Sequence, residues 1–190
     1  MNDIEDLKKQ FQIIVNLFKT KRYSEVISGA KKLLRLKNNN EFLVNMIGLS
    51  YLNIGYYKEA ESHFHKFSKM FPNILSYMNN YANALKANSN FDKAEKILEN
   101  LLEQKPDYLQ GLNNLANLKK YKKKYDEAID LLKKGLEIDA NNILIIFNLV
   151  GCYQALRKTD KVIENCKKII QLDPKFTRAD KIMSGIYNYN

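Results

Sequence analysis

An all-α stack of antiparallel helix pairs is the fold this sequence predicts, and three observations predict it. Pro72, Pro106 and Pro174 are spaced by 34 and by twice 34 residues, with Asn38 and Ala140 in the two remaining slots of that register. A fixed period of this length is the mark of a helical repeat array. Within a period, residues such as Val44, Ile47, Gly48 and Tyr51 fall on one helical stripe. Finally, three prolines, seven glycines and no Ser-rich or acidic tail leave no linker, so all 190 residues read as one continuous domain.

The repeats follow in order. Repeat one, residues 7–40, is the loosest, with Ile13, Ile14, Leu17, Val26 and Ala30 on its apolar stripes. Repeat two, 41–74, is the clearest, carrying Val44, Ile47, Gly48, Tyr51, Ala60, Phe64 and Pro72. Repeat three, 75–108, places Met78, Tyr81, Ala82, Leu85, Ala94, Leu98 and Pro106 in the same slots, and repeat four, 109–142, places Leu112, Leu115, Ala116, Ala128 and Leu132. Repeat five, 143–176, keeps Ile146, Leu149, Tyr153 and Pro174 but has Val162 where the others have alanine. This signature resembles the tetratricopeptide repeat: a large residue, then Leu, Gly and Tyr at fixed offsets, then Ala, an aromatic and a closing Pro. The resemblance implies a right-handed α-solenoid of about five helix pairs, with the first (A) helix of each pair lining a concave inner surface.

Close packing explains the small residues. Gly48, Ala82 or Ala116 on an A helix lets it approach Ala60, Ala94 or Ala128 on the second (B) helix, and Val150 and Val162 leave the packing of repeat five open. Tyr23, Tyr57, Phe91 and Tyr125 open the B helices, and the prolines close the repeats because proline cannot continue a helix. Residues 177–189 form one further A-type helix, with Met183, Ile186 and Tyr187 facing inward. Its remaining apolar side chains, Ile182 and Tyr189 among them, leave two readings open: a homodimer through the helix Thr177 to Tyr189, or a chain continuing into something longer.

Chemistry is sparse. Cys152 and Cys166 lie fourteen apart without a CxxC pair and fit reduced core thiols. His63 and His65, two residues apart on a helix, diverge by about 200° and cannot share a metal. There is no HExxH, no glycine-rich phosphate loop and no nucleophile elbow, so no catalytic residue, cofactor or metal is expected. No basic leader or long apolar run precedes the repeats, which points to a cytoplasmic protein with no membrane insertion. The net charge is +10, but 27 of the 31 basic residues are lysine and only four are arginine, against 23 asparagines. Specific phosphate readout leans on the guanidinium fork, so nucleic acid is not the expected partner. The run KKYKKKY, Lys119 to Tyr125, interleaves basic and aromatic residues, yet Tyr125 opens a helix and the lysines fall at a helix end and turn. Lys119 itself occupies the slot of Tyr51 and Tyr153, from which its stem must snorkel outward.

The register also places asparagines on the inner face of the A helices: Asn45, Asn79 and Asn113 at one level, Asn80, Asn114 and Asn148 at the next, and Asn83 and Asn117 at a third. Carboxamides both donate and accept, so such a ladder can hold the backbone of an extended peptide. It resembles the asparagine-lined superhelix of O-linked N-acetylglucosamine transferase; the plainer reading is an asparagine-rich composition scattered over solvated helix faces. At the N-terminal mouth, Phe11 and Val15 with Met46 and Leu49, flanked by Phe18 and Phe42, form an apolar patch. It is either an anchor site for a partner or a surface that packs on itself. The expected function is a non-catalytic scaffold binding a protein or peptide partner. The alternative is the substrate-recruiting N-terminal arm of a larger sulfotransferase or glycosyltransferase, and an RNA-binding helical repeat is the weaker third. Where related domains clamp chaperone C-terminal carboxylates with Lys, Asn and Arg, this chain has Phe11, Val15, Met46, Ser76 and Asn80. A calorimetric titration with a chaperone C-terminal peptide is therefore expected to show no micromolar binding; a micromolar dissociation constant would contradict this assignment of the inner face.

Overall fold

The computed structural model describes residues 2–36 and 40–187, with side chains placed for 5–35 and 40–186. Asn38 and Tyr189, and the side chain of Tyr187, lie outside the described residues. The described residues form eleven α-helices and no strands. The A-type helices are α1 (Asn2–Lys19), α3 (Glu41–Asn53), α5 (Leu75–Ala87), α7 (Leu109–Tyr121), α9 (Ile143–Ala155) and α11 (Thr177–Tyr187). The B-type helices are α2 (Tyr23–Leu36), α4 (Tyr57–Met70), α6 (Phe91–Gln104), α8 (Tyr125–Ile138) and α10 (Thr159–Leu172). From α3 onward every A helix begins 34 residues after the last, as every B helix does from Tyr23, so the expected all-α repeat array is the fold observed. No helix among the described residues is long and apolar enough to cross a membrane.

The chain divides into two compact units, residues 1–97 and 98–190, with the boundary inside α6. In the first unit α1 to α5 pack successively, and alternate helices also touch, α1 on α3 and α3 on α5. Its core holds Ile14, Val26, Ala30, Leu33, Leu43 and Ile47. In the second unit α7 to α11 pack in the same succession, with α7 also on α9, around Ala116, Leu132, Ile146, Leu149, Val150 and Cys166. The terminal helix closes this core: Ala179 is fully buried, and Ile182, Met183 and Ile186 pack against the cluster. The described part of its apolar stripe, half-buried, thus packs within the unit. Cys152 and Cys166 are free and buried, and burial pushes both thiols up.

Each A-to-B turn is closed in one way. Lys21, Gly55, Ser89, Lys123 and Arg157, again 34 apart, take positive φ between 56° and 80°. The next amide reaches back to the last turn of the A helix, as in Tyr56 N–H to the Tyr51 carbonyl at 2.9 Å and Lys124 N–H to the Lys119 carbonyl at 2.9 Å. This is the Schellman closure, which satisfies carbonyls the helix end leaves unpaired. Four of the five positions hold a side chain in the left-handed region, at a cost of about 1 kcal/mol each. Asn40 and Asn142 cap α3 and α9, their side chains accepting from Leu43 N–H and Ile145 N–H.

The close approach at Gly48 differs from expectation in its partner. A Cβ there would lie 2.1 Å from the Phe64 ring, so it is Phe64, one turn beyond Ala60, that occupies the space glycine leaves. The same two slots hold Ile14 and Ala30 in repeat one, Ala116 and Leu132 in repeat four, and Val150 and Cys166 in repeat five, all buried. As the A-helix residue grows the B-helix residue shrinks, and the summed volume stays near constant. Val150 is therefore accommodated by Cys166. Gly48→Ala is expected to destabilise the chain by about 1–3 kcal/mol through overpacking. Adding Phe64→Leu, which recreates the pair of repeat four, is expected to recover much of that loss. A double-mutant cycle by urea unfolding should give a coupling above about 1 kcal/mol, and additive effects would refute the pairing.

Candidate functional site

The asparagines sit on A helices whose neighbours pack directly, and the structure links them across that contact. In the first unit the Asn80 amide donates to the Asn45 carbonyl oxygen at 2.7 Å, joining α5 to α3. In the second the Asn148 amide donates to the Asn113 carbonyl oxygen at 2.7 Å, joining α9 to α7. Both pairs are separated by 35 residues, so each bond joins the first level of one repeat to the second level of the next. Lys120 Nζ also donates to Asn148 Oδ1, at 3.1 Å, a partner that the 34-residue register does not reveal.

Burial sorts the eight residues. Asn79 and Asn148 are buried at 7% and 8% exposure, while Asn45, Asn80, Asn83, Asn113, Asn114 and Asn117 are half-buried. A primary amide offers two N–H groups and two carbonyl lone pairs. After the Asn45–Asn80 bond, the amide N–H groups of Asn45 and the carbonyl of Asn80 keep capacity for a ligand. The Asn148 carbonyl, by contrast, already accepts from Lys120 and lies buried. At the edge of the first pair, the Ser76 hydroxyl donates to the Glu41 carboxylate, a second α5-to-α3 link.

The N-terminal apolar patch is assembled in part. Phe11 and Val15 line a cleft of about 570 Å³ with Leu7 and Phe42, and the Phe11 and Phe42 rings lie 5.5 Å apart. Met46 is half-buried against the core of the first unit, and Leu49 is half-buried outside this cleft. Phe18 packs edge-on against Tyr23 at 5.4 Å.

The basic-aromatic run resolves into internal pairs. Lys119 is only 9% exposed, and its ammonium is held by carboxylates, bridging Glu127 at 2.7 Å and Glu99 at 3.7 Å. Lys124 holds the other oxygen of Glu127 at 3.0 Å. These hydrogen bonds keep the Glu127 carboxyl below its usual range. Lys119 thereby ties α7 to α8, and Lys124 is committed to a local pair at the start of α8.

Residues 73–141 match the tetratricopeptide repeat family. That stretch carries tetratricopeptide repeats. Among solved structures the same fold recurs in a thermophilic tetratricopeptide protein of Thermus thermophilus, at 15% identity over 94% of this chain and 97% of that one, with a TM-score of 0.81. MamA of Desulfovibrio magneticus RS-1 is 18% identical over 89% and 96%, with a TM-score of 0.67. YrrB, described as a tetratricopeptide protein with an unusual peptide-binding site, is 16% identical over 92% and 90%, with a TM-score of 0.64. No curated protein matches the sequence. The tetratricopeptide fold supports a protein-interaction scaffold, and proteins built of these repeats are in general non-catalytic.

His63 on α4 makes stability depend on pH. Its Nε2–H donates to the Val44 carbonyl at 2.9 Å, while burial, aided by Lys31 and Lys66, pushes the imidazole down to about 4. The folded chain thus keeps His63 neutral where the unfolded chain, near 6.5, takes up a proton. Its contribution is complete above about pH 6.5 and is lost as pH falls toward 4, by at most a few kcal/mol. Denaturant stability measured at pH 7 and pH 5 should differ more in the native chain than in His63→Leu, the residue of the matching slot at Leu131. Equal differences would show that another group carries the acid sensitivity.

Proposed function

We propose that the chain is a non-catalytic scaffold that binds an extended peptide segment through the carboxamides of its A helices. The observation that carries this reading is the repetition of one arrangement, Asn45 with Asn80 and Asn113 with Asn148, at equivalent places in the two units. Asparagine is a poor residue for helix interiors, and a pair of carboxamides bonded to each other holds its unused donors and acceptors in fixed directions. Backbone groups of an extended peptide match such directions without regard to side-chain identity. The peptide-binding site ascribed to YrrB adds support at the level of fold. The remaining groups of Asn45, Asn80 and Asn83 form the contact surface of the first unit, and those of Asn113, Asn114 and Asn117 that of the second, with Asn79 and Asn148 acting from beneath.

The test uses a fluorescein-labelled, capped dodecapeptide of Ala, Ser and Thr, titrated by fluorescence anisotropy. Asn80→Ala with Asn114→Ala and Asn117→Ala is expected to keep the helical circular dichroism and to weaken binding at least about fivefold, since each lost hydrogen bond is worth about 1 kcal/mol. Unchanged affinity in a folded variant would remove the ladder as the contact.

A further inference from the structure

The first unit carries a second surface, made not from the A-helix asparagines but from the B helices α2 and α4. A cleft of about 380 Å³ opens between them, floored by Leu34, Phe67 and Met70, with Ile47 of α3 beneath. Phe67 is 6% exposed, whereas Met70 is 54% exposed and offers a flexible thioether at the mouth. Every charged residue lining the cleft is basic: Lys31 and Arg35, one turn apart on α2, and Lys66 on α4. Lys31 Nζ is held in place by the Tyr51 hydroxyl at 2.7 Å and lies 5.3 Å from the centre of the Tyr51 ring. Among the described residues, Lys31, Arg35 and Lys66 have no carboxylate partner within ion-pair distance. His63 also lines the cleft, neutral and tied to Val44.

A lysine-rich composition does not account for this, because the repeat supplies an internal comparison. The cleft of the second unit, about 700 Å³, is built from the same register 68 residues further on: Leu102 for Leu34, Leu115 for Ile47 and Ile138 for Met70. There Lys31 is replaced by Glu99 and Arg35 by Glu103, while Asp107 and Glu137 join the rim and Lys134 alone keeps the positive sign. One backbone frame thus carries opposite charge at the same two slots, so the sign belongs to the slot and not to the chain average. Arg35 is moreover one of only four arginines, the side chain suited to gripping a carboxylate with two parallel hydrogen bonds.

We infer that the α2–α4 cleft is a docking site for an acidic peptide segment bearing one large apolar side chain. The apolar side chain enters against Leu34, Phe67 and Met70, and flanking carboxylates meet Arg35, Lys31 and Lys66. Exposed apolar floor without a cationic rim would select no charge; three cations without a floor would give only screened attraction. Both are present here. Neither Asn45 nor Asn80 lines the cleft, so this inference goes beyond the peptide contact proposed above.

The probe is a fluorescein-labelled, capped decapeptide of Glu and Ser with one central Phe, titrated by anisotropy at physiological ionic strength. Its counterpart with Lys in place of Glu serves as the control. Micromolar binding of the acidic peptide alone is expected. Lys31→Glu with Arg35→Glu should weaken it at least about tenfold, because charge-assisted contacts to the peptide carboxylates are replaced by like-charge repulsion. Met70→Ser should weaken it about threefold, as expected for partial loss of one apolar contact. Lys133→Glu with Lys167→Glu, exposed in the second unit, makes the same change in net charge and should leave binding intact, as should the triple asparagine variant. If the double reversal does not fold, Arg35→Glu alone, on an exposed residue, carries the test. The inference is overturned if no peptide binds, if the cleft reversal has no effect, or if the control reversal weakens binding equally. It is also overturned if single-stranded oligonucleotide binds more tightly and is lost with the same variant, or if sedimentation shows a dimer that the reversal abolishes.

Discussion

The contact between Gly48 and the Phe64 ring states the constraint on which the rest of the structure depends. Two antiparallel helices can lie only as close as the side chains between them allow, and a repeat array needs a similar separation in every repeat if its members are to stack. The chain meets this need without repeating one residue. Ile14 with Ala30, Gly48 with Phe64, Ala116 with Leu132 and Val150 with Cys166 divide a similar volume in different ways. Because interiors are packed to the density of organic crystals, a change on one side of such a pair demands a change on the other. The buried thiol of Cys166 fits this view: it serves as a small apolar group opposite a valine, with burial holding it in the thiol form.

That separation sets what the A helices can do at their exposed edge. The packing of α3 on α5 and of α7 on α9 brings carboxamides 35 residues apart within 2.7 Å of each other. A looser stack would leave each asparagine to solvent, and a free carboxamide on a helix binds water as well as it binds peptide. Pairing restricts the rotamers, so part of the entropy of ordering is already lost before a ligand arrives. Lys120 acts on the same pairing from the other side, since its ammonium completes the acceptor of the buried Asn148. The carboxamide pairs are therefore consequences of helix packing as much as of composition.

Repeat boundaries, helix starts and the closing prolines were legible because each is a residue-type constraint acting locally: proline stops a helix, and the apolar slots return with the period. The left-handed turn residues were not. Gly55 marks its turn openly, but Lys21, Ser89, Lys123 and Arg157 adopt the same conformation with no glycine to announce it, because Schellman bonds to the preceding carbonyls outweigh the strain. The asparagine levels were legible as positions on a face, whereas their partners were not. A bond from Asn80 to Asn45 depends on the stagger of two helices, which shifts the pairing from 34 to 35 residues. Lys119 shows a similar limit: its slot was visible, but the carboxylates that hold it come from two other helices, α6 and α8. The apolar mouth was half legible, for Phe11, Val15 and Phe42 meet as the stripe implies, while Met46 is drawn toward the core.

A repeat separates two kinds of position, and the paired clefts show why that matters for function. Slots between helices are bound to one another by volume and cannot vary alone. Slots on the lips of the B-helix clefts are under no such volume constraint: Arg35 and Glu103 occupy equivalent sites on an unchanged frame, while Lys31 and Glu99 change together with the neighbour each meets, Tyr51 and Lys119. Reversing a charge at an exposed lip costs little stability, since surface ion pairs are worth about 0–1 kcal/mol. Across a desolvated contact the same reversal decides which partner is accepted, because like charges brought together cost several kcal/mol. The packing constraint that fixes the helix spacing thus leaves the lips free to diverge, and recognition is most readily built where stability is indifferent to the choice of residue.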